Sequence, residues 1–304
     1  MDIKQLIYLC NLERERHFGR AAEASFVSQP TLSMRLKNLE RELGVGLIHR
    51  GNSFQGFTAE GERVLTWARE IVSVYQGLKL EVESLKQGMV GTLRIGIVPQ
   101  CAISLPLLLQ AAQADYPDVD YQVSTLSADA LMEALINHSV DLALGFFDLS
   151  LLKELHYQAA VVPDQGIDLV FNPAHFPNLI GGSALSLEAV AELPLCLAEP
   201  SRYFRRHLDE GFRTAGLQLH CKLESASIFQ LLQGVYTGLG CGMVPRGHLL
   251  HAMTPDLCFR TIALSPMKRQ TAIVIAEAGR ATPLAKTLFE FAGQWLLSQS
   301  EYRP

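Results

Sequence analysis

The sequence predicts an all-α N-terminal module carrying a short β wing, a long helix, and then a larger α/β body. Three observations carry that class. Leucines at 32, 36, 39 and 43 back a capped helix within a run of short helices. An apolar heptad runs from Val64 to Leu85. Beyond residue 90, strand-like and helix-like segments alternate. The 304 residues leave room for more than one domain, since domains run to roughly 150 residues. With 48% apolar and 19% charged residues, chain-wide disorder is excluded, because ample apolar surface is available for burial.

At the N-terminus, Ile3, Leu6, Ile7 and Cys10 recur at helical spacing, and a polar run, Asn11 to His17, follows. Phe18, Ala21 and Ala22 open a second short helix that should close near Ser25–Phe26. Ser28 suits an N-cap and Pro30 the first turn after it, so a third helix is expected up to Gly44. Ala21, Ala22 and Ala24 allow the second and third helices to approach closely, which is a helix-turn-helix pattern. If the leucines face inward, Gln29, Thr31, Ser33, Met34, Arg35, Lys37, Asn38 and Arg41 lie on or near the outer face. Short hydroxyls and an amide there could reach base edges, and the cations could neutralise phosphates. A merely solvated helix face would carry similar residues. The following VGLIHRGNSFQGFT reads as two short strands around a turn at Gly51–Asn52, a wing with Arg50 at its tip, placed to enter a minor groove.

Charge agrees in sign. Residues 1–50 hold eight Lys/Arg against six Asp/Glu, a net of +2, whereas residues 88–304 hold fourteen against twenty, a net of −6. That asymmetry suits a small nucleic-acid module attached to an acidic body.

Thr58 is a fitting N-cap for the long helix, and Glu60 and Glu62 suit its positive end. Val64, Ala68, Ile71, Tyr75, Leu78, Val82 and Leu85 form the seam, read either as a surface helix on its own domain or as a dimer coiled coil. Gly88 and Gly91 mark a hinge. In the body, strands are expected at 92–98, 120–125, 140–146, 167–172, 194–198 and 271–276. Helices are expected at 105–114, 128–137, 204–215, 227–237, 246–251 and 283–298. The alternation gives largely parallel sheets in two lobes with a cleft between them. Ligands of such sheets sit beyond the strand C-termini, which selects Gln100 and Cys101, Ser127, Phe146, and, from the second lobe, Ser201, Arg202 and Tyr203. Each is equally a residue type found in caps and loops. A small anion could be held by Ser127, Gln100 and helix dipoles with Arg202 as countercharge, while Phe146 and Phe147 hint at an apolar or aromatic part.

FGRAAEASFVSQPTLSMRLKNLERELGVGLIHR followed by FTAEGERVLTWAREI resembles the LysR-type transcriptional regulators, with AA, VSQPTLS, LE, LG and TAEGE in that family's order and spacing. The likeness continues through GTLRIGIVP, DLALG and GLGCGMVP. It implies a winged helix-turn-helix DNA-binding domain over 1–58, a linker and dimerisation helix over 59–88, and a two-lobed periplasmic-binding-protein-like effector domain over 89–304. Lobe I would span about 89–161 and 266–304, lobe II about 162–265. It implies contacts to double-stranded DNA from Ser28, Gln29, Thr31, Ser33, Met34 and Lys37, with Arg50 in the wing. It also implies a small-molecule effector between the lobes, a dimer through the linker helix reading a partly palindromic operator, and a tetramer. Many members carry Arg where Met34 stands; Met offers only apolar contact, for example to a thymine methyl. Arg35 would substitute there or face a phosphate. Members that bind carboxylates often have Ser or Thr where this chain reads PQCA.

Other readings have weaker support. A peroxide-sensing branch of the family uses a cysteine pair in the second lobe, but EPSRYFRRHLDEGF contains no cysteine; Cys196 lies upstream and Cys221 downstream. An enzyme would need more than His248 and His251 three apart, and Gly238–Gly242 follows a helix instead of a strand, the reverse of a phosphate loop. A periplasmic solute-binding protein would need a signal peptide, which MDIKQLIYLCNLERER does not resemble. Six cysteines with no gap shorter than seventeen residues argue for free thiols in a reducing cytoplasm, and no metal or cofactor is expected. No apolar run is long enough to span a membrane.

Overall fold

The computed structural model describes every residue except 51–53, 88, 247–253, 266, 278–279 and 302–304. The chain forms two compact units, one centred on Met1–Val90 and the other on Gly91–Leu135 and Val140–Ala276.

In the N-terminal unit, α1 spans Ile3–Glu15. Asp2 accepts the Gln5 N–H at 3.0 Å while the Gln5 side chain accepts the Asp2 N–H at 2.7 Å, a reciprocal cap. The polar run that begins at Asn11 belongs to this helix as far as Glu15. Leu12 continues the buried face of Leu6 and Leu9, so packing overrides the polar neighbours. The second helix, α2 (Phe18–Ala24), starts on His17, whose Nδ1 accepts the N–H groups of Gly19 and Arg20. The third, α3 (Gln29–Leu43), is capped by Ser28, which accepts the Thr31 N–H at 3.3 Å, and ends at Gly44 in the left-handed region. Leu32, Leu36 and Leu39 are fully buried against Leu9, Leu12 and Ala21. Leu43, expected inward, is exposed at the helix end. The turn between α2 and α3 is fixed by the Phe26 N–H on the Glu23 carbonyl and the Val27 N–H on the Ala22 carbonyl, both at 3.0 Å. It places Phe26 at φ +53°, a conformation that costs a bulky L-residue roughly 1–2 kcal/mol.

Strands β1 (Ile48–Arg50) and β2 (Phe54–Phe57) pair antiparallel. The turn expected at Gly51–Asn52 lies outside the described residues, as does the side chain of Arg50. The wing is tied to α3 by Glu40, whose Oε1 accepts the N–H groups of Leu47 at 2.9 Å and Ile48 at 3.2 Å. Phe18, Phe54 and Phe57 pack edge-to-face beside it.

Helix α4 (Ala59–Gln87) begins on Thr58, whose hydroxyl accepts the Gly61 N–H at 2.9 Å and donates to the Gly46 carbonyl at 2.7 Å. Gly61 lies against the Leu47 carbonyl so closely that a Cβ would meet it at 2.1 Å. The apolar residues of α4 divide between two faces. Leu65 and Ala68 are buried in the core of the unit, with Val72 packed against it. Trp67, Ile71, Val74, Leu78 and Val82 are exposed. An ion pair of Arg69 with Glu13 joins α4 to α1.

The second unit contains two five-stranded sheets. The first is built from β3 (Gly91–Ile97), β4 (Val119–Thr125), β5 (Leu142–Phe147), β6 (Tyr157–Val162) and β12 (Gln270–Ala276), in the order β4-β3-β5-β12-β6. The second uses β7 (Ile167–Phe171), β8 (Leu195–Ala198), β9 (Cys221–Ser225), β10 (Cys241–Pro245) and β11 (Cys258–Ile262), in the order β11-β7-β10-β8-β9. β12 pairs antiparallel with both neighbours, as does β7, while β4-β3-β5 and β10-β8-β9 pair in parallel. The strand running against the others in each sheet is the one that arrives from the opposite lobe. The unit's α-helices among the described residues are α5 (Leu105–Gln113), α6 (Ala128–Ile136), α7 (Leu149–Glu154), α8 (Leu187–Ala191), α9 (Tyr203–Thr214), α10 (Ile228–Tyr236) and α11 (Pro283–Glu301). An ion pair of Arg94 with Asp141, at 2.6 Å, clamps β3 to the start of β5.

Candidate nucleic-acid interface and effector site

The two faces of α3 are chemically opposite. Inward, three leucines have no solvent exposure. Outward, Ser28, Gln29, Met34, Arg35 and Lys37 are exposed, with Thr31 and Ser33 half-buried. Three of these residues already have partners. The Ser28 and Thr31 hydroxyls share a 2.8 Å hydrogen bond, which fixes both at the helix start. Arg35 donates to Asp2 at 3.3 Å, so its guanidinium is held toward the α1 cap. Asp2 is thirty-three residues away in sequence, and no local signal announces the pairing. Lys37 and Gln29 sit on the exposed face, and Met34 is 55% exposed. Nothing is described of the Arg50 side chain, although its backbone closes β1 opposite Phe54.

In the second unit the residues expected to bind a ligand have different surroundings. Gln100 follows β3 at φ +58° and donates from Nε2 to the Met243 carbonyl at 3.2 Å, linking the two lobes. Phe146, at the end of β5, is buried and lies 5.3 Å from the Tyr203 ring and 6.5 Å from that of Phe204. The Tyr203 hydroxyl accepts the Arg269 N–H at 2.9 Å, and the Arg269 guanidinium lies over its ring at 4.9 Å. Gln100, Phe146 and Tyr203 therefore all lie where the lobes meet. Ser127 precedes α6 and accepts the Ala130 N–H at 3.3 Å, whereas Ser201 is exposed in the turn before α9. Arg202 caps α9 with its backbone, and its Nε is buried without a hydrogen-bond partner among the described residues. Cys101 is buried rather than open to a cleft, and burial pushes its thiol up to about 12. Gln100 also borders a small, mainly apolar cavity with Val170, Cys196, Ile228, Leu231 and Met243. Met243, Phe204 and Arg269 are the partners that sequence reasoning missed, because each contact crosses between lobes.

Three further thiols are shifted in the same direction. Burial pushes Cys196 up to about 11 and Cys241 up to about 12, and Cys10 of the N-terminal unit up to about 11. Thiolate, the reactive form, is disfavoured at each. The pair His248 and His251 lies outside the described residues. Gly238 takes φ +77° in the turn between α10 and β10, so these glycines end a helix and lead into a strand. Among the described residues, no cluster of His, Cys, Asp and Glu could hold a metal ion, and no helix is long and apolar enough to cross a membrane.

Residues 3–62 match the family model described as a bacterial regulatory helix-turn-helix protein of the lysR family, and residues 86–297 match the LysR substrate binding domain. A probable nitrogen assimilation transcriptional activator of Synechococcus elongatus is 26% identical over 93% of this chain and 91% of its own length. The transcriptional regulator IlvY of Escherichia coli is 33% identical over 48% of this chain and 49% of its own. Full-length OxyR from Pseudomonas aeruginosa has a similar fold, with a TM-score of 0.72 at 22% identity over 96% of this chain and 97% of that one. Full-length CbnR complexed with its target DNA gives 0.62 at 20% identity, covering 97% and 99%.

Proposed function

The chain belongs to the LysR family of bacterial transcriptional regulators, with a helix-turn-helix DNA-binding domain and a substrate-binding domain, and from that premise we propose how it reads DNA and senses a ligand. The family is one of regulators, not enzymes. The outward face of α3 enters the major groove. Gln29 reads base edges, Met34 makes apolar contact, and Ser28, Thr31, Ser33 and Lys37 hold the phosphates and groove wall. Arg50 enters the adjacent minor groove from the wing. Arg35 contributes only after leaving Asp2. The single observation supporting this reading is the contrast on α3 between three leucines with no exposure and an exposed polar face.

The exposed residues Trp67, Ile71, Val74, Leu78 and Val82 of α4 pack against a second copy of the same helix. The resulting two-fold symmetry calls for a partly palindromic operator, and pairing of dimers gives a tetramer. A small-molecule effector binds between the lobes, near Gln100, Phe146 and Tyr203, with Ser127, Ser201 and Arg202 within the same region. Its anionic group, if present, meets the unpartnered Arg202 Nε. Cys101 serves as packing rather than contact. The ligand shifts a balance between quaternary arrangements to the extent that it prefers one. The working compartment is the cytoplasm.

Selection of bound sequences from a random duplex pool tests the DNA assignment. Gln29→Ala should blur base preference, whereas Lys37→Ala should weaken all sequences and reduce the salt slope by about 1. Equal loss on every sequence for Gln29→Ala would contradict its role. Calorimetry with anionic metabolites tests the effector site, where unchanged affinity after Ser127→Ala and Arg202→Ala would overturn it.

A further inference from the structure

We propose that Phe26 is a DNA-contacting residue, its ring packing on deoxyribose at the rim of the groove that α3 enters. The position carries two unfavourable features together. Phe26 has φ +53°, in the left-handed region that glycine adopts without strain. Its side chain is 96% exposed, more than any other large apolar residue among those described. At that exposure the ring packs against almost nothing among the described residues. The turn is held by the backbone, through Phe26 N–H on Glu23 and Val27 N–H on Ala22. Its apolar anchor is Val27, packed against the core. Glycine or asparagine would make the same turn without strain or exposed apolar surface. A strained, exposed aromatic is therefore accounted for by something outside the chain.

The location selects the partner. Phe26 stands two residues before Ser28, in the turn that feeds the exposed face of α3. In helix-turn-helix docking the first helix crosses the sugar–phosphate backbone and the second lies in the major groove. The turn joining them passes over the groove edge, where the neighbouring surface is sugar. The ring is thus continuous with the DNA-binding face, and the inference rests on that face meeting duplex DNA. Sugar presents an apolar surface of the same kind at every base step. Phe26 should accordingly add affinity without sequence preference and without releasing counterions.

Anisotropy of the full-length protein with three labelled duplexes of about 30 base pairs and differing base composition, between about 50 and 200 mM salt, tests this. Covering about 50 Å² of ring corresponds to roughly five- to tenfold in affinity. Phe26→Gly should lose that factor on all three duplexes with an unchanged salt slope, and should raise the melting temperature because the strain is gone. Phe26→Trp should bind within about twofold of the parent. Lys37→Ala, run alongside, should reduce the slope. Phe26→Gly binding as tightly as the parent would overturn the proposal while leaving the DNA-binding face intact. So would a loss confined to one base composition, which would make the contact one to bases. A parent protein that ignored every duplex at low salt would remove the DNA-binding premise itself.

Discussion

Glu40 is the residue through which α3 and the wing hold one geometry. Its Oε1 accepts two N–H groups, from Leu47 and Ile48, at 2.9 and 3.2 Å. Leu47 has no exposure and Ile48 has 6%, so water cannot readily replace the carboxylate. Net hydrogen bonds to a charged group are each worth about 1.5–3 kcal/mol, and a stranded buried donor costs a similar amount. Glu40 is itself only half-buried, which brings the expected local cost of Glu40→Ala to about 2–4 kcal/mol for the pair. At 1.4 kcal/mol per tenfold, that is roughly 30- to 700-fold faster amide exchange at Leu47 and Ile48. Hydrogen exchange read residue by residue by NMR is the appropriate assay, because it isolates the wing from unfolding of the rest of the chain. The Leu36 amide, inside α3, serves as the internal reference. Glu40→Gln keeps a carbonyl oxygen and should recover much of the protection. Unchanged exchange at both amides in Glu40→Ala would show that the carboxylate does not hold the wing.

Further outcomes follow from the core, the body and the thiols. Leu36→Ala removes a fully buried side chain and should cost about 2–5 kcal/mol in urea unfolding of the N-terminal unit's transition. Asp141→Ala strands Arg94, whose side chain is 35% exposed; discounted for that water, the loss should be about 1–2 kcal/mol in thermal melts. Cys101 has its thiol raised from 9.0 to about 12, so native protein at pH 8 should leave it unalkylated by iodoacetamide while denatured protein reacts fully. The same shift favours the neutral thiol in the folded state. Its stabilisation is complete below pH 9.0 and fades as pH rises toward about 12, and Cys101→Ala should flatten that alkaline loss in pH-jump unfolding.

What could be read locally was read well. Ser28, Gly44 and the leucine spacing specify α3 with little help from elsewhere, as Thr58 does for the start of α4. Errors came where tertiary packing decided. The polar run from Asn11 gave no helical signal of its own, yet Leu12 is buried in the core and the helix continues to Glu15. In α4 a single seam was expected, but Leu65 and Ala68 turn inward while Trp67 and Val74 stay in water. The edge strand β9 alternates half-buried and exposed residues and includes Lys222 and Glu224, too polar to stand out as a strand. At the sites, Arg35 with Asp2 and Gln100 with Met243 are pairings over long sequence separations. Phe26 had no local mark except that a glycine was missing where the chain turns left-handed.

The reversed strand β12 makes the order of synthesis matter. It lies between β5 and β6, yet it leaves the ribosome only after every strand of the other sheet has emerged. Until then β5 and β6 wait with facing edges open, and such edges recruit neighbouring chains. The second sheet, whose strands are contiguous in sequence, has no such delay and can close first. A released chain ending before residue 270 should therefore form one finished lobe and one aggregation-prone half.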